Sequence, residues 1–206
     1  MYKQIGVIVV LLLGMSGCGK STPESAGASS QPVIAGEVTQ ASYDNAVKEI
    51  LAHAIVLMNS ATPTEPELDG DIGKIEALLA LSEKNDVDKE RTYEAPLMST
   101  LGTLYARKAA NNSTDPRIAG ALIAKSYRYL DKAISLHPQD LMAKVNRGLV
   151  SAKAPDFLGK AEIAHEDLKS VEDDADFGRL SPDLQTAVKQ ALAEVDSRLA
   201  KSGNGK

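Results

Sequence analysis

One cysteine, no tryptophan, two phenylalanines and three histidines leave this 206-residue chain few of the groups from which compact chemical sites are built. A lone cysteine cannot close an internal disulfide, so nothing covalent staples the fold. With aromatics at 4% of residues, the core must be assembled from Leu, Ile, Val and Ala. His53, His137 and His165 stand far apart in the sequence, without the ligand spacing of a metal centre, and structural or solvated roles are expected for them. No cofactor is expected either. The longest apolar run, residues 5–13, is too short for a helix crossing a bilayer, which takes about 20 residues. Beyond it, no short β-branched run ends in an acidic metal ligand, and no serine sits in a G-x-S-x-G frame. The acidic pairs Asp69/Asp71 and Asp173/Asp174 read as helix-boundary groups, and neither has the loop spacing of a calcium site. A formal charge of −5, spread over many positions, argues against nucleic acid as a partner.

The most informative segment present is residues 14–21, G-M-S-G-C-G-K-S, which fit two incompatible motifs. They satisfy the phosphate-loop pattern G-x-x-x-x-G-K-[ST], in which backbone N–H groups and a helix N-terminus cradle phosphates. Lys20 would neutralise the phosphate charge and Ser21 would hold magnesium. The apolar residues before the loop suit a strand. Residues 22–32, T-P-E-S-A-G-A-S-S-Q-P, have no apolar stripe at helical spacing, and the chain beyond them supplies no partner strands. A P-loop nucleotide-binding enzyme is therefore an alternative without its structural context.

The second fit is to an export signal: Lys3 in a short n-region, an apolar h-region, and small residues before a cut. Ser16-Gly17-Cys18 resembles the end of a bacterial lipoprotein signal peptide, although Met15 stands where leucine is usual in that family. The resemblance implies cleavage after residue 17 and acylation of Cys18. It places the protein in the bacterial cell envelope, held to the membrane by its lipid. Gly19, where aspartate often marks inner-membrane retention, favours the periplasmic face of the outer membrane. Residues 18–41 then read as the lipidated cysteine and a flexible low-complexity tether. Its reach is roughly 75–80 Å fully extended and about 25–30 Å as a coil.

From residue 42 onward apolar residues recur at spacings of three and four, and the fold class is all-α. Ser42 can cap a first helix running through Val47, Ile50, Ala54 and Met58. Ile72, Ile75 and Leu78 mark a second, and Leu97, Leu101 and Tyr105 a third with Pro96 near its start. Asp115-Pro116 opens a fourth, which His137-Pro138 stops. Leu141 begins the fifth, Ala161 lies in the sixth, and Ser181-Pro182-Asp183 starts the seventh. Residues 42–201 form this helical domain, and 202–206 read as a tail.

Within it, Leu101-Gly102-x-x-Tyr105, the run from Leu130 to Pro138, and Asn146-Arg147-Gly148-Leu149 resemble the tetratricopeptide repeat family. The likeness covers about residues 97–172. It implies stacked antiparallel helix pairs with small residues at their crossings. Gly102 and Gly148 lie further apart than one 34-residue period, and the 12-residue excess is expected in the turn around residues 110–120. Residues 42–84 and the last helix should cap the stack. Tyr105, Tyr127 and Tyr129 could line an inner binding surface, but packing between helices is the stronger expectation.

The function these features imply is non-enzymatic: an envelope lipoprotein whose helical repeats bind an envelope protein or peptide as scaffold or assembly factor. A solute-binding or transport-associated lipoprotein, its helices enclosing a small ligand, is the alternative. Cys18 is the one site residue named, as the lipidation position.

Overall fold

Thr39 decides where the helical part begins. Its side chain accepts the Ser42 backbone N–H at 3.2 Å, and the Ser42 hydroxyl oxygen accepts the Thr39 N–H at 2.9 Å. This reciprocal box opens α1, Gln40–Asn59. Ser42 thus sits in the third helical position and is not itself the cap. The computed structural model describes residues 38–85 and 87–203. All regular secondary structure in them is helical. The residues of the octapeptide, Cys18 among them, lie outside the described part.

Of the helices that follow, the second, fourth, fifth and seventh start where short polar side chains meet orphan backbone N–H groups; the third and sixth have no side-chain cap. Thr64 and Glu67 form a second reciprocal pair at the head of α2, Glu65–Asn85. Pro96 falls in the first turn of α3, Glu94–Asn111, where its missing N–H costs nothing. Asp115 accepts from the N–H groups of Arg117 and Ile118, with Pro116 first in α4, Pro116–Leu136. Asp140 caps α5, Leu141–Ala152, through the Ala143 N–H at 2.8 Å. α6 spans Ala161–Glu172, and Ser181 caps α7, Pro182–Gly203. Short 3-10 turns, Asp156–Leu158 and Phe177–Arg179, precede α6 and α7. The helical domain therefore begins at residue 40 and ends at 203, two residues beyond each expected bound.

Sequential helices pack against one another, and alternate ones touch as well: α1 with α3, α3 with α5, α5 with α7. The odd helices form a continuous row, and each even helix packs on the odd helices before and after it. Gly102 and Gly148 occupy matching crossings. A β-carbon on Gly102 would meet the Ser126 carbonyl oxygen at 2.9 Å and Leu130 Cγ at 2.7 Å; one on Gly148 would meet Leu168 Cδ2 at 2.7 Å. Only glycine lets these helices approach so closely.

The excess length between the two glycines does not form an enlarged turn. Only residues 112–115 separate α3 from α4. Instead both helices are longer, 18 and 21 residues against 12 each for α5 and α6. The α3–α4 tip therefore projects past the α5–α6 pair. It does pack on the equally long α1–α2 hairpin. Arg107 donates to the Ser60 carbonyl, Asn111 donates to the Pro63 carbonyl at 2.8 Å, and Asn112 donates to Glu65.

Two large apolar clusters make most of the core, with a small third of Ala95, Ala133 and Ala143. The first joins α1, α2 and α3 around Tyr43, Val47, Leu68, Ile75, Leu97 and Leu104. The second joins α5, α6 and α7 around Val145, Leu149, Leu168, Leu184 and Val188. Between them lies a buried polar seam of Ser99, Thr103, Ser126, Asn146 and Ser151. Here Thr103 donates to the Ser99 carbonyl at 3.0 Å, and Asn146 donates to the Ser99 hydroxyl at 3.2 Å.

Candidate functional site

Three polar clusters tie the helices together. The first spans α2, α3 and α4. Tyr105 and Tyr129 stack in parallel, ring centres 5.7 Å apart. The Tyr105 hydroxyl donates to Glu76 at 2.7 Å, and Lys125 donates to that hydroxyl at 3.0 Å while lying over the ring. Burial, reinforced by the hydrogen bond to Glu76, drives the Tyr105 phenol well above its ordinary range. This proton stays in place and is a structural donor, not an acid. Tyr127 is also buried, with Lys160 over its ring. Packing is thus the role in which Tyr105 and Tyr127 are found.

The second cluster is His53 with Asp71. Asp71 is neither at a helix boundary nor exposed: it sits one-third of the way along α2, its side chain 2% exposed. His53 Nδ1 lies 2.9 and 2.8 Å from the two Asp71 oxygens, and the outer part of the imidazole faces solvent. A buried carboxylate needs such a partner, because a buried polar group left without one costs about 1–3 kcal/mol. His137 ends α4 as an exposed residue, and His165 reaches Asp196 of α7 at 3.3 Å. Among the described residues no group of three or more His, Cys, Asp or Glu side chains is placed to hold a metal ion.

The third cluster centres on Arg147 of α5. Its guanidinium grips Asp167 of α6 with two bonds of 2.7 and 2.9 Å and reaches Asp131 of α4 at 2.9 Å. Those bonds to Asp167, acting against burial, hold its pKa above the usual arginine range. Asp173, by contrast, does not complement a helix dipole. It lies at the C-terminal end of α6, where a carboxylate is unfavourable, and Lys169 offsets it at 2.9 Å.

The surface offers shallow depressions. Two of about 470 and 480 Å³ are each lined by one helix: Arg117, Ile118, Ala121, Leu122 and Lys125 of α4, and Ala193, Glu194, Ser197, Arg198 and Lys201 of α7. The first is the more apolar, with a cation at either end of an Ile118–Leu122 strip. Leu122 is partly buried against the first core cluster while Ile118 is 42% exposed, a difference that sequence periodicity does not show. On the odd row, Ser99, Thr100 and Thr103 of α3 are buried, so no open inner groove runs past that helix.

No helix among the described residues is long and apolar enough to cross a membrane. Compared with known protein families, curated proteins and solved structures, the chain matches none.

Proposed function

We propose that this chain is a lipid-anchored, non-enzymatic interaction protein of the bacterial envelope, whose tetratricopeptide-like helix stack binds a segment of another envelope protein. The observation that carries the reading is Ser16-Gly17-Cys18, the only cysteine, set behind an apolar run and ahead of a helical domain that opens at Gln40. The spacing between them suits a tether, which lets a stack of helices sample partners near the membrane.

The partner contact is the exposed half of α4. Its Ile118–Leu122 strip, flanked by Arg117 and Lys125, suits a peptide carrying an apolar side chain between carboxylates. The depression is open and built on one helix, which favours an extended segment over an enclosed small solute. The nucleotide reading rests on residues 14–21, with no strand among the described residues to carry them.

The test has two arms. Intact mass and fractionation of wild type beside Cys18→Ser should give a membrane-bound chain beginning at an acylated Cys18, and an unprocessed variant. A soluble wild-type chain retaining Met1 overturns the anchor. A photo-crosslinking residue at Ile118 should then capture a discrete envelope partner that Lys125→Glu weakens; equal capture from Asp183, on the polar start of α7, overturns the α4 contact.

A further inference from the structure

α5 turns two unlike faces to its neighbours. Toward α6 and α7 it presents Val145 and Leu149, members of the second core cluster. Toward α3 and α4 it presents Ala143, Asn146 and Ser151, all buried. Ala143 meets Ala95 of α3 and Ala133 of α4, three small side chains. Asn146 donates to the Ser99 hydroxyl at 3.2 Å, and Ser151 stands beside the Tyr127 hydroxyl of α4. Met142 bridges the two large clusters. The close glycine crossings fall to either side of this plane, Gly102 between α3 and α4 and Gly148 between α5 and α6.

The plane is poorly satisfied as well as thinly filled. Asn146 Oδ1 and the hydroxyls of Tyr127 and Ser151 are buried without a hydrogen-bond partner among the described residues. Tyr127 and Ser151 are close to each other but outside bonding geometry. Such groups carry a desolvation penalty while the plane is closed and recover hydration when it opens. Alanine contacts offset little of it, because apolar stabilisation scales with buried area.

Charge treats the two edges differently. Along the even helices the edge is held: Arg147 reaches Asp131 of α4, and Lys160 lies over Tyr127 at 4.2 Å. Along the odd helices it is pushed apart. Ala95 meets Ala143 and Ser99 meets Asn146, so α3 and α5 run in parallel and Arg107 reaches the level of Lys153, just past the end of α5. Burial and the nearby Arg107 guanidinium lower the Lys153 pKa, with Glu194 of α7 opposing them.

We propose that the stack is divided at this plane into two blocks, α1–α4 and α5–α7, and that it opens there from the odd-helix side while both blocks stay folded. In stacked helix pairs each interface contributes its own stability, so the weakest one parts first. The opening swings one block against the other about the Arg147 edge and changes the curvature offered to a partner. It requires neither the lipid anchor nor the α4 contact.

Cys18 is the only cysteine, so Cys18→Ser gives a full-length chain without thiols, into which a single reporter is placed. Ala143→Cys and Ser151→Cys report on the plane. Ala54→Cys in the first cluster and Ala164→Cys in the second report on the blocks. Each chain is reacted with a thiol reagent in native buffer, and the rate is divided by that in unfolding urea. Circular dichroism checks the fold, and the nearly isosteric Ser151→Cys stands in if Ala143→Cys does not fold. Reporters in the plane should react at least about tenfold faster than those in the blocks, with a weaker dependence on low urea. Tyr127→Phe, which removes an orphaned hydroxyl, should slow the plane about threefold and leave the blocks unchanged. Lys153→Gln should slow it too. Equal rates and equal urea dependence at all positions make the opening global and overturn the proposal. So does a fast plane that neither substitution slows.

Discussion

Gly102 of α3 lies against the backbone of Ser126 in α4, so that a β-carbon added to it would stand 2.9 Å from the Ser126 carbonyl oxygen. A backbone atom cannot swing aside as a side chain can. Gly102→Ala should therefore lower stability by about 2–3 kcal/mol, in the upper range for overpacking. Gly148→Ala, which meets chiefly the Leu168 side chain, should cost less. Gly73→Ala has nothing within 4 Å and should stabilise by about 0.5–1 kcal/mol through helix propensity. Urea unfolding of the three variants reads the ordering; a destabilised Gly73→Ala would overturn it.

Arg147 divides its charge between a buried carboxylate and an exposed one, Asp167 at 5% and Asp131 at 54% exposure. Removing Asp167 leaves the half-buried guanidinium with only its outer partner, and Asp167→Ala should cost about 2–4 kcal/mol. Asp131→Ala should cost less than about 1 kcal/mol. Denaturant midpoints for the two variants separate the roles, and equal costs would refute the asymmetry.

His53→Ala would leave Asp71 buried without its partner, a loss expected to be about 1–3 kcal/mol. Pairing it with Asp71→Leu removes the orphaned charge and should recover most of that stability. If the double variant is as unstable as the sum of its parts, the His53–Asp71 contact is not what holds this corner of α1 and α2.

Tyr43 supplies a pH dependence. Its side chain is fully buried, with Ser82 near but outside hydrogen-bonding geometry. Burial pushes the phenol up to about 12; Ser82 opposes this, and Asp88 and Glu94 add to it. The unfolded chain releases this proton near its ordinary value of 10, while the folded protein keeps it until about pH 12. The folded state thus binds more protons in that window, so stability is full below pH 10 and falls as pH rises toward 12. The loss is on the order of 2 kcal/mol. Thermal melts from about pH 9 to about 11.5 should slope downward, and Tyr43→Phe should flatten part of that slope.

Helix positions are open to reading because their signals are local. Asp115-Pro116, His137-Pro138 and Ser181-Pro182 act on backbone groups within four residues, and each marks a helix end in the structure. Ser42 reads as the first cap in place of Thr39 because both belong to one capping box. Gly102 and Gly148 are visible as a recurring pair, and both lie at close helix crossings. Asp71 and the α3–α4 extension depart from expectation for a common reason. A carboxylate's burial depends on a partner 18 residues away, and a helix's extra turns are kept only if a neighbour covers them.

By itself, then, the sequence determined an all-α chain, most of its helix starts and stops, and the small residues at two crossings. Periodicity and capping are short-range, so they survive without knowledge of the fold. Only the tertiary structure decided that Asp71 is buried under His53, that Arg147 is shared among three helices, and that Phe157 is exposed while Phe177 is covered. Those outcomes depend on which helices meet and how far each extends, and no local pattern encodes the distance between residues that packing brings together.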